Sequence, residues 1–198
     1  MGVRFPPGAL LENDCDTRFA YVIERETTPS GLLSYHWHMT AQINMGRGKY
    51  LSKSIDQNIF SERNFHGVKG VIFIREKILV YRRDIRTTSF PLCVDLPGGG
   101  KENNESPLAT FKRELMEEFG IKINSTDVVY AKKYISVMDP MKESYFIVTK
   151  PLDIKEDDIV LGDEGLEFML MDPGEYLKLS DGIKRQQNKV AEYLDAIK

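Results

Sequence analysis

The chain is poor in the residues that several kinds of chemistry require. It has three histidines and two cysteines in 198 residues. With so few histidines, no Ser-His-Asp or Cys-His arrangement suggests itself. Cys15 and Cys93 form no CxxC or metal-ligand spacing, so the expectation is two free thiols in a reducing cytosol. His36-Trp37-His38 resembles a metal or stacking motif, but two histidines alone make a poor site and it is set aside. No apolar run approaches the roughly 18 residues a membrane helix needs. The first twenty residues lack an uninterrupted apolar segment, so no secretory signal is read. Pro6 departs from the N-myristoylation pattern. A basic excess is also missing: the formal net charge is −3, against a nucleic-acid-wrapping surface. The expectation is a cytoplasmic protein with neither a membrane nor a nucleic acid as partner. Repeats and low-complexity tracts are absent as well.

What is present is an ordinary globular composition, 41% apolar and 29% charged, enough for a core in one domain with or without an appendage. The text divides in two. Residues 1–64 read as an irregular N-terminal extension, punctuated by Pro6-Pro7, Pro29-Ser30-Gly31 and Gly46-Arg47-Gly48. Val3-Arg4-Phe5-Pro6 can be encoded by GTTCGATTCCC, which matches the T-loop region of transfer-RNA genes. Two readings stand: translation starts at Met39 or Met45, or residues 1–44 are a genuine extension. An intact mass from the native host that includes residues 1–38 rejects the first. From residue 65 onward the chain becomes regular. Val68–Ile74 and Ile78–Arg83 read as strands around a short turn at Arg75-Glu76-Lys77. Cys93–Leu96 is a short apolar run before Pro97-Gly98-Gly99-Gly100. Strands are expected over Val128–Val137, Ser144–Thr149 and Glu167–Met171, with a turn at Asp139-Pro140. Asp172-Pro173-Gly174-Glu175 has the form of a helix start, and Gly182–Ile197 reads as an amphipathic helix. Tyr145-Phe146 and Phe168 are expected in the core, and Glu156-Asp157-Asp158 in a solvated loop. Strands interrupted by a few helices indicate an α/β layered domain.

The helix expected over Ser106–Phe119 carries the chemistry. Ser106 suits the N-cap, Pro107 the first turn, and Gly120 a left-handed stop. Leu108, Phe111, Leu115 and Phe119 form a stripe that faces a core. Glu114, Glu117 and Glu118 fall within five positions, where like charges repel. Glu117 lies one turn after Arg113 and can pair with it. Glu114 and Glu118 border the apolar stripe without such local compensation. A hard divalent cation, Mg²⁺ or Mn²⁺, would offset their repulsion.

The segment Gly99–Ile121 resembles the Nudix box, G-x5-E-x7-R-E-U-x-E-E-x-G-U, where U is a bulky aliphatic. Gly99, Glu105, Arg113-Glu114-Leu115, Glu117-Glu118 and Gly120-Ile121 fill every specified position. The resemblance implies a Nudix hydrolase domain over residues 65–198, folded as an α/β/α sandwich around a mixed sheet. It implies that Glu114, Glu117 and Glu118 bind Mg²⁺ (or Mn²⁺), with the Gly98 carbonyl as a further ligand. Glu105 would support the metal site and Arg113 would orient Glu114. Glu114 or a downstream glutamate would act as general base. In triphosphate-cleaving relatives an arginine at the end of the second hairpin strand touches substrate phosphate, and Arg83 matches it better than Arg82. Glu164, in Gly162-Asp163-Glu164-Gly165, is preferred over Glu167 as the downstream glutamate. Family members are often dimers, which leaves a homodimer open.

The reaction so implied is hydrolysis of a nucleoside diphosphate linked to another group. ADP-ribose-cleaving members often carry a proline sixteen residues after the box, where this chain has Val137, its nearest proline being Pro140. Tyr134 stands three residues before the tyrosine position common in dinucleoside-polyphosphate members. The upstream coenzyme A signature is absent. Elimination favours a nucleoside triphosphate, oxidised ones included, cleaved to monophosphate and pyrophosphate. An ADP-ribose or NDP-sugar pyrophosphatase is the alternative. Isopentenyl diphosphate isomerase shares the fold but needs metal-binding histidines, and His66 is the only one in the domain. A catalytically silent binding module typically loses box carboxylates, and this chain keeps them all.

Overall fold

A computed structural model describes residues 54–136 and 138–197. The alternative starts Met39 and Met45, His36-Trp37-His38, Cys15 and Val137 lie outside the described residues. The strands are β1 (Ser54–Ile55), β2 (Phe65–Val71), β3 (Phe73–Ile74), β4 (Lys77–Arg83) and β5 (Val94–Asp95), then β6 (Val128–Ile135), β7 (Glu143–Thr149) and β8 (Gly165–Met171). The helices are α1 (Pro107–Phe119), α2 (Pro173–Tyr176) and α3 (Lys184–Ala196).

One sheet runs β1-β6-β7-β2. It is mixed: β1 is parallel to β6, β6 antiparallel to β7, and β2 parallel to β7. The second sheet joins β3, β4 and β5, with β8 antiparallel to β4. The continuous apolar run expected as a single strand divides at Ile72. The chain leaves the first sheet after Val71 and enters the second at Phe73, while Leu79 N–H donates to the Ile72 carbonyl at 3.0 Å. Ser54–Phe60, within the stretch read as extension, add strand β1 to the mixed sheet and bury Ile59 completely.

Alternation along β7 sorts the core into two layers. Tyr145 and Ile147 pack with Phe111, Leu115 and Phe119 of α1. Phe146 and Val148 pack with Val190, Tyr193 and Leu194 of α3. Helices therefore cover opposite sides of the strands, as the α/β/α sandwich requires. Tyr145 and Phe146 are fully buried, as expected of core residues. Glu156, Asp157 and Asp158 are exposed in a single 3-10 turn. Cys93 is buried and disulfide-bonded, which corrects the free-thiol expectation. Sequence spacing alone does not show whether a cysteine is paired.

Candidate active site

Helix α1 starts and stops where its local chemistry demands. The Ser106 hydroxyl accepts from the Ala109 N–H, Pro107 occupies the first turn, and Gly120 takes a left-handed φ of 67°. The apolar stripe turns inward, so its flanking carboxylates are carried to the edge of the core. Glu114 and Glu118 are 8% and 6% exposed, while Glu117 is exposed.

The loop before the helix comes against these carboxylates through glycine. A side chain at Gly99 would place its Cβ 2.5 Å from Glu114 Oε1. Gly98 adopts φ +116° beside the Val68 carbonyl, and its N–H donates to Glu118 Oε2 at 2.8 Å. Both are positions that only glycine fills without displacement.

Arg113 ties the box together. Its Nε donates to Glu105 Oε1 at 2.9 Å and its Nη1 to Glu117 Oε2 at 2.8 Å. Its Nη2 donates to the Gly100 carbonyl at 2.9 Å and pairs with Glu114 Oε1 at 3.0 Å. Glu105 also accepts from the Thr110 hydroxyl at 3.0 Å. Glu114 is thus compensated by its own neighbour, against the expectation from helical spacing alone. The long guanidinium arm reaches back across the helix face, which a count of i, i+4 pairs does not register.

Electrostatically the two buried carboxylates are disfavoured as anions. Burial pushes Glu118 up to about 7, against the pull of Lys69 and the Gly98 N–H. Burial also raises Glu114, offset in part by Arg113. Glu105 lies lower than an ordinary glutamate, because Arg113, the Glu102 N–H and Thr110 outweigh its burial.

A cleft of about 270 Å³ is lined by Glu114, Glu117, Glu118, Tyr81 and the 161–165 loop, including Glu164. That loop is pinned to the end of α1: Val160 N–H donates to the Phe119 carbonyl and Gly162 N–H to the Glu118 carbonyl, at 3.1 and 2.7 Å. Glu164 is exposed on this cleft. Glu167, the position set second, accepts instead from Arg82 Nε at 2.9 Å. Arg83 is held by Asp95 Oδ2 at 3.1 Å, the Tyr81 hydroxyl at 3.3 Å and the Ser89 carbonyl at 3.0 Å.

Among the described residues no three acidic, histidine or cysteine side chains converge as a preformed metal cluster. The chemistry of the donors still fits a hard divalent cation. Glu114, Glu117 and Glu118 face one cleft with oxygen alone. Burial without full compensation makes the carboxylates a better partner for a cation than for water.

Sequence reading missed a buried polar network behind the cleft. Lys69 on β2 pairs with Asp95 on β5 at 2.9 Å and donates to the Leu96 carbonyl at 2.9 Å and the Tyr81 hydroxyl at 3.4 Å. Burial alone would lower Lys69, but Asp95, Tyr81 and Glu118 outweigh it and hold the ammonium charged. The available signal was a lone charge inside each of two apolar runs, Lys69 and Asp95.

The family model of the NUDIX domain matches residues 65–193. Among solved structures, the MutT protein from Methanosarcina mazei Go1 is 21% identical, with a TM-score of 0.57 over 69% of this chain and 98% of that one. A bifunctional NMN adenylyltransferase/ADP ribose pyrophosphatase from Francisella tularensis, complexed with AMP and a Mn ion, is 19% identical with a TM-score of 0.56. That alignment covers 68% of this chain and 42% of the bifunctional protein. A C. elegans Ap4A hydrolase is 15% identical with a TM-score of 0.50, over 66% of this chain and 98% of that one. A comparison with curated proteins finds no match. At these identities the structural likenesses establish the fold, and the domain match establishes the family. With that match over most of its length and every box position filled, this chain belongs to the Nudix family and is a Nudix-type pyrophosphohydrolase.

Proposed function

We propose that the protein is a Mg²⁺-dependent nucleoside triphosphate pyrophosphatase, acting on canonical or oxidised nucleotides and releasing monophosphate and pyrophosphate. The observation that carries the hydrolytic reading is the pair of buried carboxylates, Glu114 and Glu118, on a cleft that also takes Glu117 and Glu164. The triphosphate preference rests on the missing proline at Val137 and the missing tyrosine position three residues after Tyr134. Glu114, Glu117, Glu118 and the Gly98 carbonyl would hold Mg²⁺, for which Mn²⁺ is a substitute. Such an ion supplies neutralisation of the diphosphate charge and activation of water.

The chain's own groups do the rest. Arg113 holds Glu105, Glu114 and Glu117 in one orientation. Glu164 accepts the proton of the attacking water as the phosphorus–oxygen bond to the leaving group breaks. Its exposed position on the cleft supports this role, and Glu167's engagement by Arg82 argues against the neighbour. Arg83 contacts a substrate phosphate, from a guanidinium already oriented by Asp95 and Ser89.

The test is incubation with Mg²⁺ and a panel of canonical and oxidised nucleoside triphosphates, ADP-ribose, NDP-sugars and dinucleoside polyphosphates, with products separated by anion exchange. Monophosphate and pyrophosphate from one triphosphate, abolished in Glu118→Gln, is the expected result. Cleavage of ADP-ribose or NDP-sugars alone overturns the substrate choice and keeps the site. Glu164→Gln should lower kcat by on the order of 10²-fold or more; unchanged turnover rejects the base assignment.

A further inference from the structure

A second cavity, of about 360 Å³, lies between α3 and the mixed sheet and reaches the box glycines Gly99 and Gly100. Its wall includes Arg185 and Lys189, one turn apart on α3. Like charges at this spacing destabilise a helix. Among the described residues neither has a carboxylate partner. Arg185 lies 4.7 Å from the centre of the Phe90 ring and Lys189 Nζ 4.9 Å from that of Tyr134. The one carboxylate on the wall, Glu192, is committed to Lys132 and to the Tyr134 hydroxyl.

Helix α3 itself adds to the same positive field. Helix α3 opens with Lys184-Arg185, no acidic residue and no side-chain cap, so two cations sit at the end where the helix dipole is already positive. Lys69, on the opposite wall, is charged and spends its ammonium on Asp95. Lys189 is pushed down to about 8 by burial and by Arg185, and Lys69 adds to that effect while Asp95 opposes it. Gln186 also lines the cavity. It is 3% exposed and its Oε1 has no partner, and a buried orphaned polar atom calls for an explanation. Turned over, the same amide places a donor where that acceptor now lies.

We propose that Arg185, Lys189 and Gln186 form a subsite for an oxyanion of the substrate, a phosphate or carboxylate separate from the diphosphate held at the box carboxylates. One bound anion would relieve the like-charged pair, the adverse helix end and the orphaned amide together. As a statement about the substrate, this rests on the hydrolase reading: the preferred substrate carries an anionic group at the end that enters this cavity. The electrostatics of the subsite do not depend on that reading.

The test uses inorganic phosphate in EDTA, at ionic strength balanced with chloride, read by titration calorimetry and by phosphate-dependent Tm. Wild type should bind phosphate saturably. Arg185→Gln should weaken binding several-fold, and R185Q/K189M at least tenfold. Glu118→Gln should bind within twofold of wild type, since the box carboxylates take no part. Phosphate affinity unchanged in R185Q and R185Q/K189M overturns the proposal, as does the absence of saturable binding in wild type. Metal-dependent hydrolysis is assayed separately on the same preparations. A protein that binds phosphate through Arg185 and Lys189 yet cleaves nothing would retain the subsite and lose the proposed function.

Discussion

Glu118 and Lys189 are two ionisable groups placed where their charge is costly, and each cost can be measured. Glu118→Gln keeps the shape of the side chain and removes the carboxylate, so turnover should fall by at least about 10²-fold with little change in fold. Lys189 is held below an ordinary lysine, first by burial and then by Arg185. Its folded pKa lies below its unfolded value, so the folded state binds fewer protons than the unfolded one between about 8 and the ordinary lysine value. The charged lysine therefore penalises folding at neutral pH, and the penalty is lost as pH rises through that window. In low-salt buffer without phosphate, Lys189→Met should be more stable than wild type at pH 7 by on the order of 1 to 2 kcal/mol. The difference should shrink between about pH 8 and 10. Denaturation in parallel at pH 7 and 10 checks this, and a pH-independent difference would assign the gain to packing alone.

At the scale of the element, α1 and the loop before it were legible because their signals are local. Ser106, Pro107, the apolar stripe and Gly120 act within one or two turns, and each performs the expected role. Ser106→Ala should cost about 1 kcal/mol through loss of the cap, and Gly120→Ala a similar amount through the left-handed φ. Both are measurable by chemical denaturation with turnover retained. The two loop glycines should part company. At Gly99→Ala the nearest contacts are the Glu114 carboxylate rather than backbone, so the change should displace that carboxylate from Arg113 and cut activity, with a smaller loss of Tm than at Gly98. Gly98→Ala meets backbone at a φ of +116°, so it should lower Tm as well. The break at Ile72 was not legible. An unbroken apolar run carries no mark of where a strand changes sheet, because both halves are buried and both prefer extended backbone. The reach of Arg113 to Glu114 escaped for a different reason. Helical spacing ranks neighbours by backbone position, whereas a guanidinium on a long stem chooses among everything within its radius.

For the whole molecule, the cleft, the cavity beside α3 and the disposition of strands depend on pieces distant in the chain. If Glu114, Glu117 and Glu118 hold a divalent ion, Mg²⁺ at about 100 times its Kd should stabilise the fold by about 2.7 kcal/mol. Wild type should then show a Tm rise of several degrees on Mg²⁺ addition, reversed by EDTA. Glu114→Gln/Glu118→Gln should show little of it. An equal rise in that variant would place the ion elsewhere. None of the described helices is long and apolar enough to cross a membrane.

Residue order specifies the box, the helix that carries it, its caps and the acidic flank. All of these depend on residues within about 23 positions of one another, where spacing converts directly into shared faces and termini. It also determined the family, since Gly99, Glu105, Arg113, Glu114, Glu117, Glu118 and Gly120 stand in the required order. Packing of distant elements joins Lys69, Asp95, Tyr81 and Arg83 in one network, and places Glu164 on the box cleft while Glu167 pairs with Arg82. Arg185 and Lys189 likewise come to line a cavity that reaches the box glycines. Those relations join positions tens of residues apart through strand register and helix packing, and a charge on one element has no means, in the linear text, of specifying which distant charge it will meet.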